Sequence, residues 1–379
     1  MTHQSSFFIN CTLLTVLIST FTLVTEAQKR KTEVAITGED FYINGEITLK
    51  GKTFNGMRLE GLLPNSRMVQ GIFDDYNPGT QSFWQYPDTK IWDPERNTNE
   101  FVAAMADWRR HGLLAFTLNL QGGSPFGYSA KKQNWLNSAF KHDGTLDEKY
   151  LSRLTRILNR ADELGMVVIL GYFYFGQDQN VRDEDAVKNA VRLATQWVLD
   201  NGFRNVIIEI NNECDINTIA KNNTVDPYDH PILDSKRVHE LINLAKSIER
   251  NGRRLLVSTS FIGGAVPTDS VLKVADFVLI HGNGVPKADQ LANLVKIVRA
   301  RSAYSSNPIV INEDDHFDFE KPHNHFIAAT SEHASWGYFD YRMKDEKFED
   351  GYQSVPVDWS IRSERKRAFF QLVKRMTGQ

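Results

Sequence analysis

Two glutamates set the chemistry open to this chain. Val206-Ile207-Ile208-Glu209-Ile210-Asn211-Asn212-Glu213 and Pro308-Ile309-Val310-Ile311-Asn312-Glu313 are apolar, β-branched runs of strand length, each ending in Asn-Glu. The C-terminal tip of a parallel strand is where a β/α barrel keeps its reacting groups. Two carboxyls brought together there can divide the work. One protonates a leaving oxygen, and the other attacks the sugar or activates water. Such a pair is the minimum equipment for splitting a glycosidic bond. Strand side chains alternate, so Ile207, Glu209, Asn211 and Glu213 share one face, and Ile309, Ile311 and Glu313 share another. With both faces turned inward, Glu213 and Glu313 converge at the top of the barrel. A carboxylate kept behind an apolar strand is costly to bury, which favours function over a surface salt bridge.

The elements that must position this pair alternate along the chain. Strands are expected at 56–61, 113–120, 166–173, 205–211, 254–260, 276–281, 308–313 and 335–340. Near-continuous apolar strands suit a parallel sheet covered on both faces. Between them, helical spacing is clear in 147–164, where Leu151, Leu154, Ile157, Leu158, Ala161 and Leu164 fall on one face before Gly165. Residues 182–200, 234–250 and 361–376 behave similarly. Eight such alternations predict an α/β fold, a (β/α)8 TIM barrel. A doubly wound open sheet is the alternative, but no Gly-rich phosphate turn follows the first strand. Before the barrel, Phe41-Tyr42-Ile43 and Ile47-Thr48-Leu49 flank Asn44-Gly45, a strong hairpin signal. The expected organisation is a signal peptide at 1–27, a β-hairpin cap at 28–55 and a catalytic barrel at 56–379.

Composition narrows the class. The chain has 379 residues, 41% hydrophobic and 24% charged, with a formal net charge of −3. That is enough chain for a large core and offers no basic face for nucleic acid. The apolar run 12–24 followed by Thr25-Glu26-Ala27 reads as a cleavable export signal. Localisation is then secreted or periplasmic, with no stable membrane insertion after cleavage; an uncleaved anchor is the alternative. Cys11 would leave with the signal, so Cys214 stands alone and no internal disulfide is expected. A catalytic thiol at Cys214 lacks an obvious activating His motif. Asn222-Asn223-Thr224 is a glycosylation sequon.

Glu209-Ile210-Asn211-Asn212-Glu213 resembles the fourth-strand signature of the glycoside hydrolase clan A barrels, above all the cellulase-like family 5. The resemblance implies a retaining hydrolase with Glu213 as acid/base and Glu313, ending the seventh strand, as nucleophile. It also implies a sugar 2-hydroxyl contact for Asn212, the His at the sixth strand's end for His281, and the Trp after the eighth strand for Trp336. Cys214 stands where the clan usually has Pro, and no aromatic stands two residues after His281. The chain therefore reads as a divergent member. Asn119, Tyr172, Tyr174 and Tyr338 are further candidates for sugar contact, with Trp84, Tyr86 and Gln121 nearby in sequence. Arg58 is expected to be buried beside Glu209. The expected partner is a carbohydrate, with no cofactor and no metal. A metal-dependent barrel hydrolase using Asp314, Asp315, His316, His323 and His325 is one competing reading. A non-catalytic carbohydrate-binding barrel is another.

Overall fold

The computed structural model describes residue 1 and residues 30–128, 132–220 and 225–379. The expected signal segment with Cys11, and the sequon at 222–224, lie outside the described residues. Eight strands form one sheet: β1 (Asn65–Arg67), β2 (Ala115–Asn119), β3 (Val167–Phe173), β4 (Val206–Asn211), β5 (Leu256–Ser258), β6 (Val278–His281), β7 (Ile309–Asp314) and β8 (Ser335–Tyr338). The order around the sheet is β5-β4-β3-β2-β1-β8-β7-β6, every pairing parallel. Asp276 spans the remaining gap between β5 and β6. Its N–H donates to Val257 O at 3.0 Å, and its carboxylate accepts from Val257 N at 2.9 Å.

A helix follows each strand: α1 (Pro94–Arg110), α2 (Glu148–Leu164), α3 (Glu184–Asp200), α4 (Val238–Lys246), α5 (Asp269–Leu272), α6 (Ala288–Arg299), α7 (His325–Ser331) and α8 (Glu364–Thr377). Local sequence explains their ends. The Asp93, Asp147, Asp183 and Ser363 side chains accept from first-turn N–H groups, and Pro94 opens α1. Gly165, at φ 69°, supplies the left-handed residue that stops α2. α4 is shorter than the 234–250 stretch predicts.

Two apolar layers hold the barrel. The larger lies between sheet and helices. The smaller fills the lower barrel with Leu63, Ala115, Val167, Ile169, Ile207, Phe277, Leu279 and Val310. Val34 and Phe41 of the N-terminal cap join this inner cluster and so close the barrel floor. Burying a ring such as Phe41 is worth roughly 1.5–3 kcal/mol. The cap is three-stranded (34–37, 40–43 and 46–47), turning at Asn44 (φ 56°) and Gly45 (φ 78°) where the hairpin was expected.

One strand expectation is corrected. Residues 56–61 are not in the barrel. Met57–Arg58 pairs only with Thr53–Phe54 in a small hairpin, between Gly56 and Gly61, both at positive φ. The first barrel strand is Asn65-Ser66-Arg67, polar and only three residues long. It lacks an apolar pattern because its inward side chains enter the polar upper half of the barrel.

Candidate active site

A bulge in β7 aims one of the two glutamates. Against β6 the register runs Ile280 to Ile311, then His281 to Glu313. Against β8 it runs Ile311 to Trp336, then Asp314 to Tyr338. Both neighbours are one residue short, so β7 holds an extra residue between Ile311 and Asp314. The expected inward set of Ile309, Ile311 and Glu313 is corrected accordingly. Val310 belongs to the inner cluster, whereas Ile309 and Ile311 belong to the outer one. Strict alternation would then turn Glu313 outward. The extra residue instead lets Asn312 and Glu313 both face the interior. Asn312 Nδ2 lies 3.5 Å from Glu209 Oε2, and Arg67 Nε lies 2.9 Å from Glu313 Oε2.

Glu213 is delivered differently. Ile207 faces the inner cluster as alternation requires, but β4 ends at Asn211 and Glu213 takes φ 52°. A long side chain in that left-handed region costs about 1–2 kcal/mol. The surroundings hold it there. Glu213 N–H donates to Ser260 Oγ, Cys214 N–H to Ser260 O, both at 2.9 Å, and Tyr228 Oη donates to Asn212 O at 2.6 Å. Enforced strain of this kind concentrates at functional sites.

The two carboxyls meet over His281. Its Nδ1 lies 3.0 Å from Glu213 Oε1 and 3.7 Å from Glu313 Oε2. A Glu213 oxygen and a Glu313 oxygen lie within 4.8 Å of one another. Asn283 Nδ2 donates to Glu313 Oε1 at 2.9 Å. Burial pushes the Glu313 carboxyl above its ordinary range. Arg67 and His281 pull it down, and Glu213 and Glu209 push it up again. Burial alone would lower His281, but the facing Glu313 and Glu213 carboxylates outweigh that and raise it. Arg67 already supplies a cation 2.9 Å from Glu313, which makes Glu213, His281 and Glu313 a poor metal site.

The metal reading fits no better around Asp314. His316 Nδ1 lies 2.6 Å from Asp314 Oδ1, while His325 Nδ1 at 2.8 Å and Trp336 Nε1 at 2.7 Å meet Oδ2. The two imidazoles stack, with centroids 3.6 Å apart and planes 14° apart. Asp314, His316 and His325 bring ligand atoms within 4.8 Å of one another, but the in-plane lone pairs of the stacked rings lie in separate, nearly parallel planes, a poor geometry for one shared ion. His323 is exposed beside Asp289, and Asp315 accepts from Tyr128 Oη at 2.6 Å.

The remaining expected site residues divide. Tyr174 is buried near Arg67 and both glutamates, its Oη 2.8 Å from Ser124 Oγ, and burial raises its hydroxyl. Asn119 lies inside the barrel against Gly171, where a Cβ would sit 2.3 Å from Asn119 Oδ1. Asn212 is buried at the end of β4, next to Glu213. Three expectations of sugar contact are corrected, because their side chains leave the sheet on the helix side. Tyr172 Oη reaches Thr195 of α3 at 3.1 Å, Trp336 stacks on Phe326 of α7, and Tyr338 stacks on Phe369 of α8. Trp84 and Tyr86 are also buried, bound to Asp75 and stacked on Trp92. Gln121 ties loops together through Ser138 and Gln177. Cys214 is fully buried, and burial pushes its thiol well up, so it makes a poor nucleophile.

Arg58 is the other correction. It is half-exposed and pairs with Asp40 and Glu60, while Arg67 occupies the buried place expected of it. Sequence reasoning missed Arg67, Asn283 and Ser260. Arg67 had one signal, a lone cation inside the apolar stretch Leu62-Leu63-Pro64-Asn65-Ser66-Arg67-Met68-Val69. Asn283 and Ser260 had none, because both sit just past the ends of short strands.

Comparison with known proteins places this geometry in a class by fold. No protein-family model matches the chain, and no curated protein matches it. Solved structures do: the chain has the barrel fold of glycoside hydrolase family 5, which lies in clan A. It is similar to an endo-1,4-β-mannanase from Rhizomucor miehei at 11% identity and TM-score 0.55, covering 92% of this chain and 100% of that one. It is also similar to a broad-specificity endoglucanase from Bacteroides salanitronis (11%, TM-score 0.53, 83% and 93%). A β-mannanase from the blue mussel Mytilus edulis gives 12% and 0.50, with coverage of 91% and 96%. The chain spans only 60% of a longer Bacteroides vulgatus protein of the same fold. Among the described residues, no helix is long and apolar enough to cross a membrane.

Proposed function

We propose that this chain is a glycoside hydrolase that cleaves O-glycosidic bonds of a poly- or oligosaccharide with retention of anomeric configuration. The observation that carries the reading is the pair of glutamate oxygens within 4.8 Å at the C-terminal tips of β4 and β7. Retention requires carboxyl groups about 5–5.5 Å apart, whereas inversion needs about 6.5–9.5 Å to admit water.

The charges support a division of roles. Glu209, Glu213 and Glu313 face Arg67 and His281, so full ionisation leaves one negative charge in excess. One proton on the pair removes it. Arg67 on one Glu313 oxygen and Asn283 on the other oppose the burial that raises this carboxyl. Glu213 is held through Oε1 by His281. In this reading Glu213 protonates the leaving oxygen while Glu313 attacks the anomeric carbon. In the second step Glu213 takes a proton from water, and that water releases the sugar from Glu313. The apolar segment at 12–24 supports export, to the medium or the periplasm.

The mannanase and endoglucanase folds around it make β-mannans and β-glucans the first substrates to try. The test is turnover of that panel, with proton NMR of the first-formed product. Retained anomer supports the reading, an inverted anomer removes Glu313 as nucleophile, and no turnover favours a non-catalytic sugar-binding barrel.

A further inference from the structure

We infer that Asp314 is a positioning residue that fixes the direction of Glu313, acting through a buried clamp on the outer face of β7. The inference rests on the glycosidase reading above and extends it to residues that touch no substrate. The extra residue of β7 is what turns Glu313 inward, and nothing in backbone pairing alone dictates where an extra residue should settle. Asp314 is the first residue to regain register with β8, opposite Tyr338. Its carboxylate is fully buried and takes three donors from three separate stretches of chain: His316 just beyond β7, His325 on α7 and Trp336 on β8. The backbone is held as well, since Phe339 N–H donates to Asp314 O at 3.0 Å. With Asp314 pinned outward, the preceding side chain must point to the opposite face.

The neighbouring strand is shaped to admit this clamp. A Cβ on Gly282 would lie 2.2 Å from Asp314 Oδ2. Gly282 separates His281 and Asn283, the two residues that meet Glu313 from β6, and Gly282 N–H donates to Glu313 O at 2.8 Å. The clamp and the glutamate's partners are thus one packed unit. Burial would raise the Asp314 carboxyl, but the hydrogen bonds from His316 and His325 hold it below its ordinary value, so it stays the acceptor this arrangement needs.

The test reads nucleophilic attack directly. Native enzyme, Asp314→Ala, Asp314→Asn and Trp336→Phe are incubated with 2-deoxy-2-fluoro cellobiosyl and mannobiosyl fluorides. Mass spectrometry locates the adduct and gives its rate constant and the binding constant of the probe. Asp314→Ala should slow labelling of Glu313 about 100-fold, the scale of a misplacement of about 1 Å, with probe binding little changed. Asp314→Asn should restore much of that rate, because His316 can present Nδ1 as an acceptor to the new amide. Trp336→Phe keeps the stack on Phe326 and loses one donor, so it should show a smaller slowing of the same kind. Native labelling rates in folded Asp314→Ala, or weaker probe binding at an unchanged rate constant, would overturn the inference. Should Asp314→Ala not fold, unchanged rates in the other two variants overturn it equally. A native enzyme that acquires no adduct at Glu313 refutes the glycosidase reading itself, a distinct result.

Discussion

Replacing Arg67 with Met tests the electrostatics of the site most directly. Arg67 is fully buried with Nε 2.9 Å from Glu313 Oε2. At an effective dielectric near 20, two unit charges at that separation attract by about 6 kcal/mol. Asn283 and His281 remain in the variant, so we take roughly half of this, about 3 kcal/mol, as lost from the ionised form of Glu313. At about 1.36 kcal/mol per decade that is a loss in rate of up to about 100-fold, reached on the acid side of the pH profile. The sign follows from the charge. Arg67 lowers the Glu313 carboxyl that burial raises, so removing it raises that carboxyl further. Activity fades as pH falls through that value, so the acid limb of kcat/KM should move to higher pH. The loss should shrink in alkaline buffer, where Glu313 ionises without help. The assay is the pH dependence of kcat/KM on an activated aryl glycoside, with a melting curve to confirm folding. Arg67→Lys should fall between the two, since it keeps charge but not shape. A folded Arg67→Met enzyme with an unmoved acid limb would refute the reasoning, whatever its absolute rate.

Glu313→Ala should abolish the covalent intermediate on every substrate. Glu213→Ala should slow poor leaving groups far more than activated aryl glycosides and be partly rescued by azide; equal slowing of both, without rescue, contradicts Glu213 as the acid. Gly282→Ala should fold less stably and lose activity by at least about tenfold, because its Cβ would displace Asp314; unchanged melting and turnover would show that β6 yields instead. Activity should survive exhaustive chelation, and loss restored by added zinc would revive the metal reading.

The barrel was legible because its outer layer is written in period: apolar β-branched runs, helical spacing, Asp and Ser caps, Gly stops. The polar half of the barrel has no such script. β1 is three polar residues and escaped notice, and with it Arg67. Alternation found the right face for Ile207 and Glu209 but the wrong one for Ile309 and Ile311, since the residue that restores Glu313 leaves no mark in composition. Tyr172 and Tyr338 were misplaced on their position in the strand, and Trp336 on the family resemblance. Each lies on a barrel strand, yet each turns to the helices. Asn-Glu at the ends of β4 and β7 carried the pair itself, because chemistry restricts residue type there more tightly than packing does.

The left-handed backbone at Glu213 bears on how such a protein changes over time. Glycine takes φ 52° without the steric cost that a side chain brings. A Gly at position 213 would relieve strain on the order of 1 kcal/mol, part of which the added freedom of the unfolded chain offsets. The barrel would then lose the His281 contact but not its fold, and would split only glycosides whose leaving group needs no proton. Selection for thermal robustness alone therefore does little to keep this carboxyl, and a demand for turnover is what retains it. Descendants released from that demand should record changes at this position, in barrels about as stable as their ancestor.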